Sequence, residues 1–550
     1  MASLFICAGR ARRRLNTTSR EDGMRMPRHS HRAARGDTRG NRCLMHPPNI
    51  PFARAQRAQP GTAAGQYRTL WRWHFYAGLF VMPWLMVLAL TGTLYVFAPQ
   101  IEPWLYHDRM IVEASDSPRI AEQTLMEHAA SALPTGARIS SVEVNRAPER
   151  SAEFIFRLLD GARQSVYVNP YTGTVLGTLS VEHRLMQQAR NLHRSLMLGK
   201  PGEWLMELAG CWTLVMLGTG LALWWPRAGA TWANALRPRW QLRGRALLRN
   251  LHGVMGLWLA AGGLAFVLTG LPWTGLWGAQ FKALATQAGM GSPPGAWGKA
   301  PVRSTVPEKP TTMDDLPLAQ IPWAVGNMPV PRSGAPDMVG MPHAAPRQAT
   351  PPAAGAPTDH AGHDGMADAT GMTPARLRAT GALSIDEVMA IAARRGVQNG
   401  YSLVVPSTAD GVYTVSYFPA DPRAERTMHI DQYSGTVLRD IDYSAYGGIA
   451  QAISYGTSLH MGKYFGAANQ WLCAAISMGL LAMSVTGFAM WWMRRPARTL
   501  GAPARAASRP PMRAWVAGMV ALGAIFPLMG ATMALVWAAD RIAFRRQVAT

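Results

Sequence analysis

Five stretches of this chain, roughly 74–97, 204–225, 252–275, 470–493 and 514–538, are apolar and reach the length of about 20 residues that a bilayer-crossing helix needs. Such a chain is read as a polytopic α-helical membrane protein with about five spans, because in lipid each segment must satisfy its own backbone hydrogen bonds. Histidines recur in register at the edges of these stretches. His74-x3-Gly78-Leu79 leads to Thr91-Gly92, and His252-x3-Gly256-Leu257 leads to Thr269-Gly270, a spacing of 17 residues from His to Thr both times. His193 leads to Gly220 and Trp224, and His460 to Gly487 and Trp491, 27 and 31 residues on in each case. The pattern is a tandem two-fold repeat of helix, external segment and helix, with a fifth helix appended.

Charge placement orients the spans. The formal net charge is +23, but 26 of the 32 acidic residues fall in 98–202 and 276–468, while the connections 227–249 and 495–513 carry arginines and no acid. By the positive-inside rule the Arg-rich connections and the N-terminus face the cytoplasm, and the long acidic segments lie outside. No recognition module for nucleic acid accompanies the basic residues. Of the four cysteines, Cys7 and Cys43 sit near the N-terminus and Cys211 and Cys473 in predicted spans, so no external disulfide framework is expected. The absence of C-x-x-C-H excludes the usual covalent haem attachment.

Along the chain the reading is an Arg-rich disordered extension at 1–65, whose true start is at Met24, Met26 or Met45 if translation begins downstream; a first span at 68–98; a small α+β unit at 115–180; an interfacial segment and second span at 183–226; and a third span at 250–276. A Pro-, Met- and His-rich insertion at 287–378 is expected to be disordered, followed by a second α+β unit at 380–442, an interfacial segment and fourth span at 455–494, and a fifth span at 514–538. Helices are expected at 120–133 and 384–395, with alternating strands after each. Both units close on Asn/Asp-x-Tyr-Thr/Ser-Gly-Thr-Val-Leu, a turn signature in which glycine supplies the geometry. Within the insertion Met338, Met341, His343, His360, His363 and Met366 are soft and borderline ligands suited to copper, or incidental residues of a linker.

Because each repeat has two spans, both enter the membrane the same way, and equivalent histidines lie at equal depth. His74 with His252 near the cytoplasm, and His193 with His460 near the outside, then form two pairs. A pair of neutral imidazoles from facing helices is a closed axial ligand set for haem iron, suited to electron transfer. His183 is a reserve ligand. The Thr-Gly pairs are read as sites of close helix packing, and Trp224, Trp225, Trp491 and Trp492 as interfacial anchors. Gly289-x-Gly291 lies in a Pro-rich stretch rather than between strand and helix, so no nucleotide site is evident.

The ordered set of His-x3-Gly-Leu, Leu-Thr-Gly, the Tyr-Thr/Ser-Gly-Thr-Val-Leu turn, Leu-His, Thr-Gly and Trp-Trp over roughly 68–495 resembles the PepSY-associated transmembrane family of iron-regulated inner-membrane proteins. The resemblance implies periplasmic PepSY-like units and two b-type haems with His74, His252, His193 and His460 as iron ligands. It also implies an enzyme of the Gram-negative inner membrane, a ferric-siderophore reductase that releases Fe(II). The acceptor is then a ferric siderophore or another periplasmic species, and the donor a quinol or a cytoplasmic reductase. Two other readings stand beside it: a non-enzymatic PepSY sensor or peptidase regulator, and a copper-handling protein using the Met/His loop.

Overall fold

The computed structural model describes residues 60–226, 232–291, 293, 312–318, 320–331, 382–408, 411–496, 499–503 and 512–545. Most of the N-terminal extension and the copper candidates Met338, Met341, His343, His360, His363 and Met366 lie outside the described residues. The main helices are α1 (Pro60–Val96), α2 (Glu122–Ser131), α3 (Leu185–Ser195), α4 (Lys200–Trp224), α5 (Gly244–Gly270), α6 (Trp277–Gln287), α7 (Ile385–Arg394), α8 (Gly448–His460), α9 (Ala467–Trp492), α10 (Arg513–Ile525) and α11 (Pro527–Arg545).

Helices α1, α4, α5 and α9 are long and apolar enough to cross a membrane. They close into a four-helix ring in which α1 and α5 each pack between α4 and α9, so α1 and α5 oppose one another across the diagonal. Ala77 and Val81 of α1, Cys211, Trp212 and Val215 of α4, and Leu480 of α9 belong to its buried core. Outward residues such as Trp258, Leu268 and Trp471 are more than half exposed, as an apolar face turned to lipid requires. At the Arg-rich end Arg494 stacks on Trp71 and Phe75, which ties the α9 C-terminus to the first half of α1. Trp224 and Trp491 donate to the Ala235 and Leu500 carbonyls at the same end.

The expected fifth span, 514–538, is corrected to a hairpin. Proline lacks the N–H that would continue the helix, and the chain breaks at Phe526 into α10 and α11. Gly523 and Gly530 pack backbone to backbone, so a Cβ on Gly530 would stand 2.6 Å from the Gly523 carbonyl oxygen. Trp277 donates to the Ile525 carbonyl at the hairpin tip and Trp212 to Thr532 on the returning arm.

The two α+β units are a single sheet. Strands β1 (Arg138–Val144), β2 (Ala152–Arg157), β3 (Arg163–Val168) and β4 (Val175–Ser180) form one half, and β5 (Tyr401–Val404), β6 (Val412–Tyr417), β7 (Arg426–Asp431) and β8 (Val437–Asp442) the other. Antiparallel pairing of β1 with β5, from Ser141 opposite Val404 to Val144 opposite Tyr401, joins the halves in the order β4-β3-β2-β1-β5-β6-β7-β8. The two inner edges thereby cover each other, which removes the exposed ladder a lone four-stranded unit would present. The turns match as their sequences do. Asn169 and Asp431 each accept the amide two residues on, Gly173 and Gly435 take φ of 73° and 70°, and a register shift follows in both hairpins.

One face of the sheet packs Phe154, Phe156, Val166, Leu403, Val415, Met428 and Ile430 beneath α2 and α7. Asp386 at the start of α7 accepts from the Glu122 and Gln123 amides at the start of α2, so a carboxylate satisfies helix-end donors of the other half. The other face is polar along one cross-strand row: Tyr167, Glu153, Glu143, Ser402, Ser416 and Thr427. Part of the insertion expected to be disordered is instead built into the fold. Met313, Leu318, Trp323, Val325 and Met328 are buried against Ala285, Val404 and Ile441, because this stretch is richer in large apolar residues than the remainder of the insertion.

Glu143 gives the polar face a pH dependence. Burial, and then Glu153 directly across the strands, pushes its carboxyl up to about 7, opposed by a hydrogen bond from Ser402. The folded state therefore holds this proton more tightly than the unfolded chain. The resulting stability is fully present below the ordinary glutamate range and is lost as pH rises through about 7. Glu143→Gln is expected to narrow the difference between melting temperatures measured near pH 5 and near pH 8, by no more than about 3 kcal/mol in free energy. An unchanged difference would contradict the assignment.

Candidate functional site

Each of the four paired histidines, His74, His252, His193 and His460, is held by one Thr-Gly pair. His74, early in α1, reaches Thr219 and Gly220 late in α4, its Nδ1 lying 3.1 Å from the Thr219 hydroxyl and 3.1 Å from the Met216 carbonyl oxygen. His252, early in α5, meets Thr486 late in α9 at 3.0 Å and also bonds the Met483 backbone. At the sheet end, His193 of α3 lies 2.9 Å from Thr91 of α1, and His460 of α8 lies 2.8 Å from Thr269 of α5. Each repeat thus supplies both members of its own His–Thr contacts.

These contacts fix the tautomer. The Thr219, Thr91 and Thr269 hydroxyls donate to the Val215, Val87 and Ala265 carbonyls of their own helices, and Thr486 donates to Met483. With its proton committed, each threonine oxygen accepts from the imidazole. A carbonyl such as that of Met216 can only accept, which leads to the same result. Nδ1 is therefore the protonated nitrogen, and Nε2 keeps its lone pair for a metal, the orientation that outer partners impose on ligating histidines.

The glycines complete the seat. A Cβ built on Gly220, Gly92, Gly487 or Gly270 would stand 3.2, 3.4, 3.4 or 3.7 Å from Cε1 of His74, His193, His252 or His460. The Thr-Gly motif, read from the sequence as a site of close helix packing, carries a further role: each threonine meets a histidine nitrogen, and at Gly220, where a Cβ would be tightest against the ring, the missing side chain leaves room for the His74 edge. Gly220→Val, which crowds the His74 ring away from Thr219, is expected to weaken binding of any metal cofactor held between His74 and His252 by on the order of 10–100-fold, the size of effect that follows when a ligand loses its orienting contact. Equal cofactor retention by the variant and the parent, measured by titration, would contradict this seat.

The pair nearer the Arg-rich end, His74 with His252, is termed the inner pair and that nearer the sheet, His193 with His460, the outer; the inner pair faces across the bundle. The His74 and His252 rings are 6.3 Å apart centre to centre and nearly perpendicular, at 83°. Two imidazoles on opposite sides of one metal, each with a metal–nitrogen bond of about 2 Å, have ring centres roughly 6 Å apart. His193 and His460 lie within electrostatic reach of one another, and the Phe266 ring packs 4.8 Å from His460. Along α1 the inner and outer tiers are separated by the 17 residues between His74 and Thr91, a rise of about 25 Å. Among the described residues no group of three or more His, Cys, Asp or Glu side chains is placed to hold a metal ion. Two neutral nitrogens alone fall short of a protein-built metal site. They fit a metal that brings its own equatorial donors, and haem iron is such a metal.

The model of the PepSY-associated TM region matches residues 71–494. The chain belongs to the PepSY-associated transmembrane family. The matched region spans both histidine pairs, all four Thr-Gly seats and the eight-stranded sheet, and ends before the α10–α11 hairpin. Comparison with individually curated proteins gives no match.

The remaining histidines of the sheet end have other surroundings. His183 lies 2.9 Å from the Ser180 hydroxyl in an exposed turn, His128 2.9 Å from the Gly173 carbonyl, and His429 is buried 3.0 Å from Thr414 within the sheet. His107 begins a short helix, His107–Met110. None of these four is brought to the paired sites in the contacts described.

Glu207 was not singled out by sequence reasoning. It is buried in α4 and accepts the Leu276 and Trp277 amides, both at 3.0 Å, at the start of α6. The available signal was an acid within an apolar span, which is costly unless partnered.

Proposed function

We propose that this protein is a di-haem membrane oxidoreductase that delivers electrons to an acceptor on the sheet side of the bilayer. The observation that carries the reading is the inner pair: two imidazoles across the bundle diagonal, 6.3 Å apart, each with Nδ1 bonded and Nε2 free for a metal. When bound, haem iron at each pair supplies one-electron exchange between its ferric and ferrous states. The chain's own part would be to hold each haem iron between two histidines, His74 with His252 and His193 with His460, and to exclude water from it with the packed α1–α4–α5–α9 ring. No acid/base dyad or nucleophile is required for that chemistry.

The positive-inside rule supports a cytoplasmic Arg-rich end and an external sheet, and the family resemblance supports the inner membrane of a Gram-negative cell, with the sheet in the periplasm. A ferric siderophore is the proposed acceptor, since Fe(III) held by hard oxygen ligands is bound far less tightly once it becomes Fe(II). A quinol or a separate cytoplasmic reductase is the proposed donor. Proteoliposomes with reductant enclosed on the Arg-rich side and ferric siderophore outside test this directly. Fe(II) trapped by an external chelator, at a rate well above empty liposomes, is the expected result. A rate equal to that of empty liposomes would overturn it.

A further inference from the structure

The inner pair holds its two rings in a particular mutual orientation. His74 lies against Thr219 and the Met216 carbonyl, and His252 against Thr486 and the Met483 backbone, contacts made by two helices on opposite sides of the ring. A hydrogen bond from Nδ1 fixes an imidazole's rotation about its Cβ–Cγ bond, and the glycine following each threonine, Gly220 or Gly487, lies beside Cε1 with no side chain to push the ring out of that orientation. The rings end 83° apart. We propose that Thr219 and Thr486 are positioning residues that hold His74 and His252 in crossed planes as axial ligands of the inner haem. This rests on the haem reading above and goes beyond it, because ligation alone leaves the ring planes free.

The consequence follows from orbital symmetry. Coplanar axial imidazoles both interact with the same member of the iron dxz/dyz pair and split it, which gives a rhombic low-spin ferric spectrum with three resolved features. Crossed rings interact with one member each and leave the pair nearly degenerate, which gives a highly anisotropic signal dominated by one feature at low field. Orientation of this kind, imposed by the groups around the ligands, is one of the protein's levers on a haem centre.

The experiment is the electron paramagnetic resonance spectrum of the oxidised full-length protein in which His193→Ala has removed the outer site, recorded with its optical spectrum. The expected spectrum shows the single low-field feature. Thr219→Val and Thr486→Val, which keep the shape but lose the acceptor, are expected to shift that intensity into a rhombic spectrum, while Thr219→Ser and Thr486→Ser retain it. Haem present by its Soret band with a rhombic signal in the His193→Ala protein would overturn the proposal alone. An unchanged low-field feature in both valine variants would also overturn it. No Soret band in the parent protein would overturn the proposal together with the haem reading.

Discussion

His74→Ala is expected to leave the purified protein with half of its haem and to abolish transmembrane electron delivery, because the proposed inner haem would lose one of its two histidine ligands. His252→Ala is expected to behave identically, since the two rings face each other across one site. His193→Ala and His460→Ala are expected to remove the other half, through the tier held by Thr91 and Thr269. The pairing itself is checked by the double variants. His74→Ala with His252→Ala retains as much haem as either alone, whereas His74→Ala with His193→Ala retains essentially none. Haem quantified per polypeptide settles the matter, and a protein that keeps both equivalents after His74→Ala would contradict the assignment.

Glu207→Leu is expected to have the largest effect on stability. Its carboxylate accepts two backbone amides where α6 begins, and its removal leaves two donors buried without an acceptor, at about 1–3 kcal/mol each. Glu207→Gln keeps a carbonyl oxygen in the same place and is expected to lose much less. Thermal unfolding in detergent measures both. Equal melting temperatures for Glu207→Leu and the parent would show that α6 does not depend on this cap.

The four candidate ligands were legible in the sequence because they are tied to fixed spacings, and a helix converts spacing into depth. His74 and Thr91 lie on one helix, as do His252 and Thr269, so equal offsets in the two repeats set two tiers at equal heights. What the threonines do was not legible. Thr219 meets His74 across 145 residues and Thr486 meets His252 across 234, contacts that only the packing of the bundle creates. Alternation marked several strands of each unit, but nothing local specified that β1 would add to β5, because edge-to-edge pairing leaves the alternation of both strands unchanged. The break in the last apolar stretch did have a signal, Pro527 at its middle, and mean hydropathy over the stretch concealed it. The buried segment around Trp323 was concealed in the same way by the Pro- and Gly-rich composition on either side.

The central claim, that the two histidine pairs hold haem, is tested most directly by the visible spectrum of the detergent-purified protein, oxidised and then reduced with dithionite. The expected spectrum has a Soret band and, on reduction, the sharp α and β bands of six-coordinate b-type haem, with two equivalents per chain. Protein expressed with ample haem and purified without a Soret band would contradict it.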